Sequence, residues 1–343
     1  RPPRSTLFPY TTLFRSLSYG EAYDNTQTCS AYFSGYVDGL IRRLVRQRGV
    51  KGKTVVEIGC GKSLFLKKLC HAGRNRGIGF DPSYSGPVAC MGGQVKFKRL
   101  FYDRRAGKNI AADIVIARHL IEHVPDPVNL LREVRESLAG SNQSRVFFET
   151  PELDWILNSR VIWDLFYEHC SYFTKASLRA AFETAGFCVK KITSVFNGQY
   201  LWLEAKKSGT VNPKGKLIGS AGPTRRTIIR AKRFARYEKL LIQNWSKKLK
   251  ALSRSEKIAV WGAGAKGVTF VNLVDPSCQW IDCVADINPN KQGKFVPGTG
   301  HPIVSPRDLS VRGVTAAVLM NPNYRSENNQ LLKKISLKLK WIS

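Results

Sequence analysis

Two stretches of this 343-residue chain share one design. One reads "KTVVEIGCGKSLFLKKL" from Lys53, and the other "KIAVWGAGAKGVTFVNL" from Lys257. Each has a short apolar run rich in β-branched residues, then a Gly-x-Gly turn, then apolar residues at helical spacing. A strand that feeds a helix in this way belongs to a parallel sheet, because parallel neighbours need a crossover connection. The glycines let backbone N–H groups approach a ligand closely at the head of the helix. Such a unit, met twice, predicts an α/β protein of two Rossmann-like, doubly wound domains.

The segments that follow fit this pattern. "GIGF" ends at Asp81, about twenty residues past the first turn, where an acid can accept ribose hydroxyls. "ADIVIARHLIEHV" gives a third strand running into a loop and helix, and "RVFFETP" a fourth. In the second stretch Gly262, Gly264 and Gly267 match G-x-G-x-x-G, and Asp286 closes the next strand, "IDCVAD". Taken alone, that is a dinucleotide fingerprint.

The chain is long enough for two cores. It has no uninterrupted apolar run of membrane-spanning length and no secretory signal at its start. Its eight cysteines are scattered without a C-x-x-C pair. Cys278 and Cys283 are a weak metal spacing. Reduced thiols in a cytoplasmic protein are the expectation, with no metal and no disulfide framework. The net charge of +30 suits nucleic acid, an acidic surface or a phosphorylated substrate, and does not choose among them.

Residues 1–16, "RPPRSTLFPYTTLFRS", resemble translated sequencing-adapter sequence. The expectation is an artefact or a disordered tail that belongs to no fold. Residues 17–207 are then expected as the first domain, 208–257 as a linker with a basic amphipathic helix, and 258–343 as the second domain. The helix is expected over Thr224–Lys257, with twelve Lys/Arg against two Glu. Its expected apolar stripe is Ile228, Ile229, Phe234, Tyr237, Leu240, Leu241 and Trp245.

The ordered set Glu57-Ile58-Gly59-Cys60-Gly61, Asp81, the Ala112–Val124 block and Arg145–Pro151 resembles the class I S-adenosylmethionine-dependent methyltransferases. That resemblance implies S-adenosyl-L-methionine as cofactor. It puts Glu57, Gly59 and Gly61 beside the methionine part, Asp81 on the ribose and Asp103 at the adenine. From Tyr19 to about Met320 the chain resembles the sugar C-methyltransferases, which act on nucleotide-linked keto sugars. "YGEAYDNTQTCSAYF", "ARHLIEHVPDP", "ETPELDW", "FYEHCSYFTKASLRAAFETAGF" and "WGAGAKGVTF" carry it. The zinc module found at the N-terminus of such proteins has no counterpart here, and truncation at the suspect segment is the expected reason.

Carbon methylation next to a ketone needs a base for the α-proton and a donor for the enolate oxygen. The resemblance implies that His169, in "EHCSY", is that base. Glu168 and Tyr167 line the sugar pocket, and His123 assists. His119, four residues before His123, is expected on the same side of a helical turn, beside the cofactor's methyl. Tyr23 closes over the cofactor and substrate. In the second domain the resemblance turns the dinucleotide fingerprint into a nucleotide-sugar site at Gly262, Gly264, Lys266 and Gly267, with Lys291 able to neutralise phosphate. Thr174, Leu178, Phe182 and Gly186 read as scaffold: a cap, two core residues and a helix stop.

The expected function is therefore C-methylation of a nucleotide-linked keto sugar by a monomer, with no membrane and no nucleic acid as partner. The alternatives are an O-methyltransferase, an RNA methyltransferase suggested by the charge, and an NAD-binding oxidoreductase resting on Gly262–Gly267. "ARHLIEHV" stands where base-amine methylases carry N/D-P-P-Y/F, which argues against methylation of a base amine.

Overall fold

A computed structural model describes residues 29–138, 144–207 and 221–342. Tyr23 and residues 1–16 lie outside the described residues. The chain forms two compact units. Of the described residues, those between 37 and 155 and between 167 and 224 form the first. Those between 29 and 36, 156 and 166, and 225 and 342 form the second.

In chain order the elements begin with α1 (Ala31–Arg42), β1 (Thr54–Ile58), α2 (Leu64–Gly73), β2 (Arg76–Phe80), β3 (Ala89–Cys90) and β4 (Val95–Lys98). They continue with α3 (Arg104–Gly107), β5 (Ile114–Arg118), α4 (Pro127–Ser137), β6 (Arg145–Pro151), α5 (Leu153–Ser159) and α6 (Lys175–Thr184). β7 (Phe187–Val195) and β8 (Tyr200–Lys207) complete the first sheet, in the order β3-β4-β2-β1-β5-β6-β8-β7. From β4 to β6 the strands are parallel, while β8 and β7 are antiparallel. β1 has β2 on one side and β5 on the other. The winding reverses there, and ligands of such sheets bind at the carboxyl ends of the strands at this point.

The core explains the strand pattern. Val56, Val115, Val146 and Phe148 are fully buried, as strands covered on both faces require. Phe182 and Leu178 of α6 pack on this core, with Phe182 edge-on to Phe148 at 5.0 Å. The helix start is a capping box: Thr174 accepts from the Ser177 amide, and Ser177 Oγ accepts from the Thr174 amide. Gly186, at φ 84°, ends the turn after α6. The scaffold expectations at these four residues hold.

The second unit contains α7 (Ala221–Leu252), β9 (Ile258–Trp261), α8 (Ala265–Val274), β10 (Ile281–Ala285), β11 (Ile303–Val304), α9 (Asp308–Val311), β12 (Ala316–Leu319), α10 (Arg325–Lys334) and β13 (Lys340–Ile342). Its sheet is parallel, in the order β11-β10-β9-β12-β13, with the reversal between β9 and β12. Both units are thus doubly wound α/β, as expected. Residues 156–166 cluster with the second unit although they precede β7. The reason is Trp163, whose ring meets Phe270 at 5.2 Å and Trp245 at 6.1 Å.

The expected stripe on α7 needs correction. Phe234 is buried and Leu241 and Trp245 are partly buried, but Ile228, Ile229, Tyr237 and Leu240 are exposed. At about 100° per residue, Phe234, Leu241, Trp245 and Leu249 share one face. Ile229 and Leu240 fall on the far side.

Candidate active site

The turn after β1 is built by backbone constraints. Gly59 and Gly61 have φ of 71° and 49°, the left-handed region that costs a side-chain-bearing residue energy. A Cβ on Gly59 would come within 3.1 Å of Leu120 Cδ1, whereas one on Gly61 would meet nothing within 4 Å. The Gly61 amide donates to Asp81 Oδ2 at 2.8 Å. Asp81 Oδ1 accepts from the Ser83 amide and hydroxyl at 2.8 and 2.7 Å. Asp103 caps α3 by accepting from the Ala106 amide at 2.7 Å.

Glu57 is buried at the foot of this turn, and its Oε2 makes no hydrogen bond. Burial pushes its carboxyl up to about 8, against the pull of Arg118. An orphaned carboxyl oxygen beneath an open glycine turn, at the winding reversal, suits a polar nucleoside-type ligand.

The neighbouring strand ends carry a buried charge network. Arg118 Nε donates to Glu149 Oε2 at 2.6 Å, and Glu149 is fully buried. His119 follows Arg118 at φ 50° and donates its amide to the Glu149 carbonyl at 2.9 Å. Its Nε2 lies 3.4 Å from Glu149 Oε1, and its Nδ1 lies 3.4 Å from Glu122 Oε1. Neither His119 Nε2 nor Glu122 Oε1 meets hydrogen-bond geometry, so these are ion-pair contacts. Burial disfavours the imidazolium, but the two carboxylates outweigh it and lift His119 to about 9. Burial likewise opposes ionisation of Glu149, yet Arg118 and His119 hold it down at about 2. Glu122 is held below the usual carboxylate range by His119 despite its burial.

His123 and His169 meet beside this network. Their rings stand edge-on at 4.7 Å, and His169 is 5.3 Å from the Tyr172 ring. His123 Nδ1 lies 3.2 Å from the Glu168 carbonyl, a contact that makes Nδ1 the protonated nitrogen. Thr150 donates its hydroxyl to Glu122 Oε2 at 3.0 Å. Burial drives His169 down to about 4; the Glu122 carboxylate opposes that and His123 adds to it. Near neutral pH the His169 imidazole is therefore uncharged. Glu122, His123 and His169 offer one donor atom each, all within 4.8 Å of one another, so the cluster also has the donor set of a metal site.

The structure thus brings His169, His123 and His119 around Glu122. Glu168 joins through its backbone carbonyl, and Tyr167 is half-exposed. The expected helical turn joining His119 to His123 is absent. His119 is left-handed, and only Ile121–His123 form a short 3-10 turn. Arg118, Glu122, Glu149 and Thr150 were not among the expected site residues. A signal was present: "IVIAR" and "VFFET" each place a charge at the end of an otherwise apolar strand. Arg118 and Glu149 are register partners there.

In the second unit, Gly262 has φ 113°, and a Cβ on Gly267 would lie 1.9 Å from the Gly262 carbonyl. Close helix–strand approach requires glycine at 267. Gly264 caps α8 with extended backbone. Asp286 accepts from the Ala263 amide at 2.7 Å and from the Asn288 amide at 2.8 Å. Lys291 Nζ donates to the Ala263 carbonyl at 3.1 Å and is 4.0 Å from Asp286. Lys266 pairs with buried Asp164 at 2.9 Å, so its charge is matched within the unit.

Residues 32–192 match the family described as methyltransferase domain, and residues 227–341 match the C-methyltransferase C-terminal domain. The chain is 26% identical over 288 residues to the C-methyltransferase NovU of Streptomyces niveus, covering 80% of this chain and 68% of that protein. It is 27% identical over 111 residues to the ubiquinone biosynthesis O-methyltransferase of Escherichia coli O7:K1, covering 31% of this chain and 45% of that protein. The chain thus spans about two thirds of the former relative and less than half of the latter. Among solved structures, the pyocyanin biosynthetic protein PhzM aligns with a TM-score of 0.40 and 20% identity, over 51% of this chain and 55% of that one.

Proposed function

We propose that this methyltransferase moves a methyl group from S-adenosylmethionine to the carbon beside a ketone in a nucleotide-linked sugar, with His169 taking the α-proton. The observation that carries the reading is the state of His169. It is a partly buried, neutral imidazole set against His123 and near the ionised Glu122. A neutral imidazole can accept a proton, and a nearby carboxylate stabilises the imidazolium that results. The match of residues 227–341 and the similarity to NovU support carbon as the acceptor.

In this reading Glu57, Gly59, Gly61 and Asp81 hold the cofactor, with Asp103 near the adenine and His119 near its methyl end. Bound S-adenosylmethionine supplies an electrophilic methyl group on a sulfonium. His169 receives the α-proton, and the C–H electron pair stays with the substrate as an enolate. That carbon would then form the new C–C bond as the methyl–sulfur bond breaks, its electron pair leaving on the thioether sulfur of S-adenosylhomocysteine. The His123 ring, oriented by the Glu168 carbonyl, buttresses His169. Glu168 and Tyr167 contact the sugar.

Solvent-deuterium exchange at the α-carbon of a nucleotide-linked keto sugar tests the proposal. The wild type exchanges that proton and yields a C-methyl product. His169→Ala loses exchange and transfer but still binds S-adenosylmethionine by calorimetry. Methyl transfer to oxygen with the α-proton retained would overturn it. That second outcome is the O-methyltransferase reading, which the match to the ubiquinone enzymes favours.

A further inference from the structure

The helix α7 presents a cationic face that the proposed chemistry leaves unexplained. At about 100° per residue, Arg226, Lys232, Arg233, Arg236, Lys239 and Lys247 fall within an arc of about 140° opposite buried Phe234 and Leu249. All six are exposed, and they run along about 32 Å of helix. The arc holds no Asp or Glu; Glu238 lies behind it. None of the six forms an ion pair with a described residue. In its middle stand Ile229 and Leu240, 50% and 48% exposed.

A merely solvated helix face mixes signs, so that i,i+4 and i,i+3 pairs support the helix. Here Lys232–Arg236, Arg233–Arg236 and Arg236–Lys239 are like-charged pairs at those spacings and oppose it. Two aliphatic side chains in water add to the cost. An anionic surface with an apolar layer beneath reverses both effects. Phosphates neutralise the row, and Ile229 and Leu240 enter the acyl boundary. Nucleic acid would satisfy the charges alone, since its backbone offers no use for the two aliphatics.

We propose that this face of α7 docks the protein on an anionic lipid bilayer, as a peripheral rather than spanning element. No helix of the described residues is long and apolar enough to cross a membrane. The inference departs from the expectation of no membrane partner and does not depend on the catalytic reading.

Vesicle co-sedimentation of the full chain tests it, with phosphatidylglycerol-containing and pure phosphatidylcholine vesicles, and with a single-stranded RNA as competitor. Binding is expected to the anionic vesicles only, and to fall as salt rises. Arg226→Glu/Arg233→Glu/Arg236→Glu should lower the partition coefficient by at least about tenfold. Ile229→Ser/Leu240→Ser should lower it several-fold while leaving the charge row intact. Thermal melts show whether each variant is folded. Equal binding to neutral vesicles, no binding at all, or vesicle binding untouched by the aliphatic substitutions would overturn the proposal. RNA that binds more tightly than the vesicles and is indifferent to Ile229 and Leu240 would overturn it in favour of a nucleic-acid surface.

Discussion

Arg118 and Glu149 meet at 2.6 Å across the carboxyl ends of two adjacent parallel strands, where each is the other's register partner. Glu149 has no exposure, and Arg118 and the nearby His119 hold its carboxyl in the charged form. Removing one partner of such a pair leaves a buried charge uncompensated. Arg118→Ala is expected to destabilise the protein by about 3–5 kcal/mol, measured by denaturant unfolding. Arg118→Ala/Glu149→Gln should be less destabilised than the sum of the single changes, because the two are coupled.

The same network sets a pH window for stability. His119 is raised to about 9, so its contribution is full below its ordinary 6.5 and is lost as pH climbs through 9. Glu57, raised to about 8, acts in the same direction: its contribution is full below its ordinary 4.5, falls as pH rises from there and is gone above about 8. Glu149, lowered to about 2, contributes above 4.5 and fails as pH falls towards 2. From these two groups stability should decline as pH rises from about 4.5 to 9, most steeply between about 6.5 and 8, where both act. Melting curves of His119→Asn should show a flatter alkaline limb than wild type.

If His169 is the base, its low pKa keeps it competent across neutral pH. Single-turnover methyl transfer should lose rate only as pH falls through about 4, with no inflection near 6.5 from this group. His169→Ala should cost about two to four orders of magnitude in rate with cofactor affinity intact.

A metal ion would need the same lone pair. Added zinc is expected to inhibit, in proportion to occupancy of the Glu122–His123–His169 cluster. A chelator should restore the rate, and zinc affinity measured by calorimetry should fall in His123→Ala.

The two glycines of the first turn should respond differently to substitution. Both have positive φ, so alanine costs about 1–2 kcal/mol at either. Only Gly59→Ala also presses on Leu120. It should be the more destabilised of the two in thermal melts, and Gly61→Ala should report chiefly on cofactor affinity.

Much of this was legible because it is written in local grammar. Strand, glycine turn and helix are adjacent in sequence, so β1 with α2 and β9 with α8 could be read directly. Thr174 and Ser177 form a cap three residues apart, also within local reach. Glu122 could not be found that way. Its significance comes from Thr150, His123 and His169, which the fold gathers from three segments. His119 and His123 show the opposite failure. Their spacing suggested one helical face, but the left-handed backbone at His119 turns it toward Glu149 instead. The α7 stripe was misread because its apolar residues exceed what one face can bury.

Asp81 grips the Gly61 amide, and Asp286 grips the Ala263 amide, each from the end of the strand next to its glycine turn. The two units have arrived at the same latch. A carboxylate has about four acceptor sites, so each clasp can stay closed while the acid takes a further donor. Under the proposed reading, Asp81 then holds the glycine turn and the ribose at once. Substituting it loosens the turn as well as removing the contact, and the lost affinity reports both.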